Sequence, residues 1–170
     1  MANCVLLLFA GHETTANLIA NGLVLLFQNP GQLARLRADP ALTPSAVEEM
    51  LRCDGPAGVI GRVATEPVEL AGHPVPAGQH VYLALAAANR DPDVFGDPDT
   101  FDITRTRNRH LAFGMGTYYC LGAALARMET GECLRILLER CPGLRPGYDR
   151  PDWLPSPPLG HRLRSLAVTF

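Results

Sequence analysis

The chain has 170 residues, a length that suits one domain with a hydrophobic core of its own. Hydrophobic residues make up 47% and charged residues 19%, which is typical of a globular protein and excludes a disordered or fibrous one. The formal net charge of −2 gives no reason to expect nucleic acid or an acidic membrane surface as a partner.

Residues 2–27 predict a long helix that is buried on nearly all sides of a protein core. Its longest apolar run, CVLLLFAG, is shorter than the roughly 20 apolar residues of a membrane span, and polar side chains interrupt the helix between His12 and Asn21. The basic start of a signal peptide is absent. A helix buried all round needs neighbours on every side, so the sequence looks truncated.

Two shorter helices are predicted next. GQLARLRADP predicts a helix that ends before Pro40. LTPSAVEEMLRCDGP predicts a second helix, capped by Thr43 or Ser45 and carrying Pro44 in its first turn. The apolar face of this second helix consists of Val47, Met50 and Leu51.

The second half of the chain mixes strands, loops and one further helix. Residues 59–85 contain short β-prone runs joined by Gly and Pro turns, and residues 89–110 predict a long ordered meander of the kind that is usually functional. A helix follows Cys120 and ends around Cys141, and SLAVTF reads as a final strand after a Pro-rich tail. We therefore predict one mostly helical α+β domain over residues 1–170. The apolar face of the late helix consists of Leu121, Leu125, Met128, Leu134, Leu137 and Leu138.

The cysteines favour a reducing compartment, and the cytoplasm is the expected one. Their number is odd, none forms a CxxC pair, and none has zinc-ligand spacing with His. They are Cys4, Cys53, Cys120, Cys133 and Cys141.

Cys120 stands at the end of a glycine-rich loop, FGMGTYYCLG, directly before a predicted helix. Gly114 and Gly116 leave the backbone open to close approach by a flat ligand. The free N–H groups and dipole at a helix start favour a thiolate. A thiolate beneath a flat, glycine-lined surface is what a haem iron with a sulfur ligand needs. The alternative is a buried structural cysteine beside a tight turn.

This loop resembles the haem-binding loop of the cytochromes P450, written F-G-x-G-x-[HR]-x-C-x-G. The resemblance implies haem b as cofactor, with Cys120 as the axial ligand of its iron. Position 118 departs from the pattern: the family has His or Arg there in contact with a haem propionate, and Tyr118 offers a hydrogen bond without charge. The matching residues are Phe113, Gly114, Gly116, Cys120 and Gly122.

Two further motifs resemble the same family. AGHETT, residues 10–15, is similar to A-G-x-[DE]-T of the central helix, which implies that Thr14 holds water or the oxygen adduct and that Glu13 relays protons. The alternative is a cap where two helices meet. Glu49 and Arg52 form an E-x-x-R, whose implied role is a buried scaffold for the cysteine loop, locked to Arg105 of the meander.

The resemblance also assigns residues that would contact the propionates and the substrate. Arg62 precedes Val63 and Ala64 where bacterial members place a propionate-binding arginine on a strand, and His110 is a second candidate. Residues 59–61 and 81–85 would reach the substrate pocket. The match runs from about residue 5 to residue 170. It implies the C-terminal portion of the family fold, with small β-sheets, no membrane span and the N-terminal half absent.

The implied function is haem-thiolate monooxygenation, in which one atom of O2 enters a small organic substrate. Electrons would come from NAD(P)H through a ferredoxin or flavodoxin. Some of the four arginines that flank the cysteine loop in sequence would form a positive patch on which this acidic redox partner docks. Arg105 could instead be paired internally. Two alternatives are a haem-binding remnant without turnover and a fragment that exposes apolar surface and aggregates. The four arginines are Arg105, Arg107, Arg109 and Arg127.

Overall fold

A computed structural model describes residues 1–155 and 160–170, so the predicted Pro-rich tail lies partly outside the described residues. The architecture is mostly helical with small two-stranded antiparallel sheets, which confirms the predicted α+β class. The helices are α1 (Ala2–Gln28), α2 (Pro30–Ala38), α3 (Thr43–Asp54), α4 (Leu85–Ala88) and α5 (Ala123–Arg140). The strands are β1 (Ile60–Val63), β2 (Val68–Leu70), β3 (His73–Val75), β4 (His80–Leu83), β5 (Arg145–Pro146), β6 (Asp152–Trp153), β7 (Leu163–Ser165) and β8 (Val168–Thr169).

The hydrophobic core lies where the second half of α1 meets α2, α3 and α5. Leu26, Met50 and Leu134 come from three of these helices and are fully buried. Gly22 lets α1 approach α3 closely, because a Cβ atom there would lie only 2.5 Å from the sulfur of Met50. The predicted burial of Val47, Met50 and Leu51 on α3 is confirmed.

The first half of α1 is exposed, so the prediction of burial on nearly all sides is wrong for this part. The five apolar side chains of residues 5–9 are 59–75% exposed. The core contacts of α1 come instead from Leu18 onwards. No helix within residues 1–155 or 160–170 combines the length and the apolarity that a membrane span requires.

The predicted apolar face of α5 is only partly buried. Leu134 lies in the core, and Leu137 and Leu138 pack against it. Leu121, Leu125 and Met128 are exposed, which corrects the prediction of one continuous buried face. The reason is positional, since the members of this face that meet the core, Leu134, Leu137 and Leu138, all lie in the second half of α5.

The start of α3 differs from the predicted cap. Thr43 donates its hydroxyl to the carbonyl of Pro40 (2.8 Å), and Ser45 donates to the carbonyl of Leu42 (3.0 Å). No side chain caps the first turn of α3. A 3₁₀ turn over Pro40–Leu42 supplies those carbonyls, so the hydroxyls act as donors and the capping prediction is wrong.

The strands of residues 60–83 form two nested antiparallel pairs. β1 pairs with β4, and the β2–β3 hairpin between them turns at Ala71 and Gly72, which both have positive φ. Leu85, the last residue of the predicted β-prone stretch, begins α4 instead. The final SLAVTF is likewise divided between β7 and β8. Residues 89–110, which follow α4 directly, contain neither helix nor strand. This agrees with the predicted meander.

Candidate functional site

The Cys120 loop is closed by a backbone hydrogen bond. The N–H of Cys120 donates to the carbonyl of Phe113 (2.9 Å), and Gly114 and Gly116 between them adopt φ of +72° and +74°. These left-handed values favour glycine. Cys120 is exposed, so a buried structural role does not describe it. α5 begins three residues later at Ala123.

Cys53 provides a contrast with Cys120. Burial, together with the neighbouring charge of Glu49, raises the pKa of Cys53 to about 12. This thiol therefore stays protonated at neutral pH and is inert as a ligand. Cys120 is the cysteine presented at the end of the glycine loop.

Apolar side chains surround the Cys120 loop and stand in solvent. Exposed apolar side chains that lie together often mark a ligand or partner site. The guanidinium of Arg62 lies 5.9 Å from the ring centroid of Tyr118, so the structure brings two predicted propionate contacts together. The exposed apolar residues of the loop are Met115, Tyr118, Tyr119 and Leu121.

His110, the second propionate candidate, already has a partner on each ring nitrogen. Its Nδ1 accepts from the N–H of Ala112 (3.2 Å), so Nε2 carries the proton that it donates to Glu48 (3.1 Å). Its side chain is buried. A contact between His110 and a propionate would have to replace the Glu48 bond.

These residues fit a haem with a thiolate ligand. Cys120 is exposed, and a Cβ atom at Gly116 would meet nothing within 4 Å, so the loop leaves open space beside its backbone. A cation and a phenol stand together at Arg62 and Tyr118, as two carboxylates require. A soft thiolate is a ligand that suits haem iron.

The E-x-x-R pair is completely buried and joined to the meander. Arg52 donates through Nε and Nη2 to both carboxylate oxygens of Glu49, each at 2.8 Å. Arg105, the predicted third member, reaches Glu49 at 3.3 Å. Arg52 also donates to three meander carbonyls, which belong to Asn89, Pro98 and Thr100.

Two asparagines that sequence reasoning missed complete this cluster. Asn108 donates to Glu49 (2.9 Å), and the side-chain oxygen of Asn89 accepts from the N–H of Leu111 (2.7 Å), close to the start of the cysteine loop. Asn89 is buried. In the sequence, these asparagines could have been suspected only because side-chain amides in an aperiodic meander often bind buried backbone groups.

Glu13 and Thr14 both lie within the continuous helix α1, so the alternative of a cap between two helices is wrong. Thr14 donates its hydroxyl to the carbonyl of Ala10 (2.7 Å), the ordinary position for a helical threonine. Glu13 forms an ion pair with Arg162, close to β7. No hydrogen bond or ion pair between described residues joins either side chain to Cys120.

A second ionic cluster, missed from the sequence, lies between α3, the cysteine loop and α5. Arg127 of α5 donates to both carboxylate oxygens of Glu48, at 2.6 and 2.9 Å. Burial alone would raise the pKa of Glu48, but hydrogen bonds from His110 and Arg127 outweigh it and lower that pKa to about 2. The hydrogen bond to Glu48 in turn raises the pKa of Arg127.

This lowered pKa predicts a loss of stability in acid. With a folded pKa of about 2 and an ordinary value of 4.5, Glu48 contributes fully above pH 4.5 and loses its contribution as pH falls towards 2. The size is at most about 3 kcal/mol, and smaller because the Glu48–Arg127 pair is about one third exposed and solvent screens it. Urea unfolding from pH 7 to 3 should give a flatter profile for Glu48→Gln than for the wild type, and equal slopes would contradict the prediction.

Comparison with known proteins assigns the family. A family model described as Cytochrome P450 matches residues 1–158. The chain belongs to the cytochrome P450 family. The biotin biosynthesis cytochrome P450 of Bacillus subtilis (strain 168) is 47% identical over 170 residues, which is 99% of this chain and 42% of that protein. The cytochrome P450 monooxygenase PikC of Streptomyces venezuelae is 51% identical over 168 residues, 97% of this chain and 40% of PikC.

Solved P450 structures superpose closely on the chain. The crystal structure of P450BioI with an acyl carrier protein ligated to hexadec-9Z-enoic acid gives a TM-score of 0.94 at 47% identity, covering 98% of this chain and 43% of P450BioI. CYP109E1 from Bacillus megaterium, in complex with testosterone, gives 0.92 at 38% identity, covering 96% and 46%. The chain thus spans less than half the length of these P450s, in their C-terminal portion.

The four arginines considered for redox-partner docking divide into two pairs. Arg105 and Arg127 are bound internally, to Glu49 and Glu48 respectively. Arg107 and Arg109 are exposed. Of these four arginines, Arg107 and Arg109 are therefore the two whose charge is not held by Glu48 or Glu49.

The two segments expected to reach the P450 substrate pocket are neighbours. Residues 60 and 61 lie on β1 and residues 81–83 on β4, and Gly61 pairs with Tyr82 in the antiparallel register. Tyr82 and Leu83 are exposed, whereas Leu85 at the start of α4 is buried. Leu85 is therefore already buried by the chain itself, unlike Tyr82 and Leu83.

Proposed function

We propose that this chain provides the haem-thiolate part of a P450 monooxygenase, with Cys120 as the ligand of haem b. The observation that carries the proposal is the exposed Cys120 at the end of a loop held open by two left-handed glycines. When bound, the haem would activate O2, so that one oxygen atom enters a small organic substrate and the other leaves as water. The proposed unit is a partial P450 domain over residues 1–170.

The chain's own residues would bind and orient the cofactor. Arg62 and Tyr118 would share the haem carboxylates, the first by charge and the second by a neutral hydrogen bond. His110 would join them only by giving up its bond to Glu48. The cluster of Glu49, Arg52 and Arg105 would act as scaffold, because its side chains already bind one another and the carbonyls of the meander.

Glu13 and Thr14 would move protons, and both must change partner to do so. The carboxylate of Glu13 would release Arg162 to accept a proton from solvent. The hydroxyl of Thr14 would turn from the carbonyl of Ala10 to hold a water molecule. Both steps need only side-chain rotation in the half of α1 that this chain leaves exposed.

Electrons would come from NAD(P)H through a ferredoxin or flavodoxin that docks on Arg107 and Arg109. Such partners are acidic, so charge complementarity would raise the rate of encounter. We expect Arg107→Glu with Arg109→Glu to lower the electron-transfer rate at low salt by about tenfold and to flatten its salt dependence. Stopped-flow reduction checks this, with Arg150→Glu as a control remote from the loop in sequence. Unchanged rates would contradict this docking site.

Three solved relatives support the proposal of an apolar class of substrate. CYP267B1 was solved with myristic acid, CYP109E1 with testosterone, and P450BioI with a fatty acid on its carrier protein. We propose apolar small molecules as substrates here, reaching residues 59–61 and 81–85. Cys120 must stay outside any disulfide to serve as a thiolate ligand, which favours a reducing, cytoplasmic location.

A second candidate is a haem-binding remnant or fragment without turnover, favoured by the exposed residues 5–9 and by coverage of 42% of the B. subtilis relative. Incubation with NADPH, a ferredoxin and its reductase, oxygen-18 gas, and myristic acid or testosterone separates the two. One heavy oxygen atom per product molecule supports the monooxygenase. A haem-loaded chain that is reduced but forms no product supports the remnant.

A further inference from the structure

We propose that Arg127, held by Glu48, is the positioning residue that sets the place of Cys120. The haem-dependent consequences rest on the proposed function, whereas the positioning of the loop itself does not. Sequence reasoning placed Arg127 among the arginines available for docking a partner protein. Its contacts point instead inward, to the loop that presents the sulfur.

Glu48 and Arg127 join two helices on either side of the loop. The guanidinium donates through Nε and Nη2 to the two carboxylate oxygens, at 2.6 and 2.9 Å. This two-point geometry fixes the plane of the guanidinium as well as its position. The pair is about one third exposed on each side, so solvent screens it only partly.

The fixed guanidinium then contacts the loop at both of its ends. Its central carbon lies 4.5 Å from the ring centroid of Phe113, a cation–π distance. Its Nη1 donates to the hydroxyl of Tyr119 (3.1 Å). Tyr119 is the residue before Cys120, and the carbonyl of Phe113 accepts from the N–H of Cys120 (2.9 Å). Arg127 therefore contacts the residue before Cys120 and the residue whose carbonyl accepts the Cys120 N–H.

His110 and the loop aromatics close the arrangement. The ring of Phe113 lies 6.1 Å from His110 and 6.2 Å edge-on to Tyr119. His110, three residues before Phe113, also donates to Glu48. The carboxylate of Glu48 thus binds the segment before the loop directly, and it binds Tyr119 near the loop's end through Arg127. Gly114 and Gly116, with φ of +72° and +74°, lie between these two contacts.

Arg135 is a matched control on the same helix. It also binds a carboxylate at two points, Glu132 at 2.9 and 2.6 Å, but it is half exposed. Its hydrogen bonds and ion pairs, as far as the described residues go, reach only Glu132 and Glu139 of α5. Removing Arg135 deletes a similar ion pair without touching the loop.

The first test is amide hydrogen exchange of the chain without cofactor, followed by NMR. We expect Arg127→Ala and Glu48→Gln to speed exchange at the Cys120 N–H by at least about tenfold, and Tyr119→Phe by a few-fold. Arg135→Ala should leave it unchanged. The N–H of Asp102, bonded to Glu49 at 3.0 Å, reports on the rest of the fold.

Each outcome of this test decides the proposal. Faster exchange at Cys120 with Asp102 unchanged supports it. Equal acceleration at both amides, equal exchange in wild type and variant, or an unprotected Cys120 amide in the wild type overturns it. None of these readings needs the haem, so they hold even if the proposed function fails.

A second readout concerns the sulfur itself in the haem-reconstituted chain. At equal haem content, the share of protein with a thiolate-type reduced carbon monoxide spectrum should fall severalfold in Arg127→Ala and recover in part in Arg127→Lys, which keeps charge but not the two-point fork. A share unchanged in Arg127→Ala contradicts positioning of the sulfur. A wild type without such a spectrum contradicts the proposed function, and the exchange data then decide the inference.

Discussion

Replacing Arg52 by alanine should lower the free energy of unfolding by about 3–5 kcal/mol, because it leaves the carboxylate of Glu49 buried with only part of its charge balanced. Both side chains are fully buried, and Arg52 makes bonds to Glu49 and to three meander carbonyls. Domains of this size have only about 5–15 kcal/mol of stability. The variant should therefore be mostly unfolded in mild urea.

Urea unfolding followed by circular dichroism measures this difference, with Arg135→Ala as the control. The ion pairs of Arg135 are half exposed, so its removal should cost less than about 1 kcal/mol. If Arg52→Ala lowers the free energy of unfolding by less than about 1 kcal/mol, the Glu49–Arg52 cluster does not stabilise the meander. Restoring neutrality with Glu49→Gln in the Arg52→Ala background should recover part of the loss.

Polar substitution on the first half of α1 should reduce self-association of the chain by at least about tenfold, because each exposed apolar side chain buried between molecules contributes about 1–2 kcal/mol. Leu6→Gln with Phe9→Gln removes two such side chains from the apolar run of residues 5–9. Both glutamines suit an exposed helix.

Sedimentation velocity over a range of concentrations measures the association, with Val94→Gln as the control. Val94 is 58% exposed, comparable to Leu6 at 62% and Phe9 at 67%, but lies in the meander. The control should sediment like the wild type. If the wild type is itself monomeric at high concentration, the exposed run does not drive aggregation and this interpretation of α1 is wrong.

The motif-bearing parts of the fold were predictable because their signals are local. Glycines at 114 and 116 report positive φ, and Pro44 reports the first turn of α3. The E-x-x-R spacing identified Glu49 and Arg52, and the family resemblance supplied Arg105. The structure then placed all three in contact.

Contacts between distant segments were not predictable in this way. Glu48 and Arg127 are 79 positions apart, and nothing in either local sequence indicates a partner. The separate role of Glu48 could not be recognised from the sequence, because two adjacent glutamates on a helix are typical of a charged, solvent-exposed surface. Only the docking of α5 against α3 shows that they point to different clusters.

The solvent exposure of apolar helix residues could not be predicted from the sequence either, for a physical reason. Apolar spacing on a helix reports which face prefers burial, not whether a neighbour is there to bury it. Residues 5–9 of α1 and Leu121, Leu125 and Met128 near the start of α5 carry apolar side chains that the described chain leaves open. They are the places where sequence and structure disagree most.

If Cys120 is a thiolate ligand of haem, the reduced carbon monoxide difference spectrum of the chain should depend on this one side chain. The purified chain would be reconstituted with haem beside Cys120→Ala, with Cys4→Ala as a control at another exposed cysteine. We predict a strongly red-shifted Soret band in the wild type and in Cys4→Ala, and its loss in Cys120→Ala. A band that survives in Cys120→Ala, or a wild type that binds haem without one, would contradict the claim.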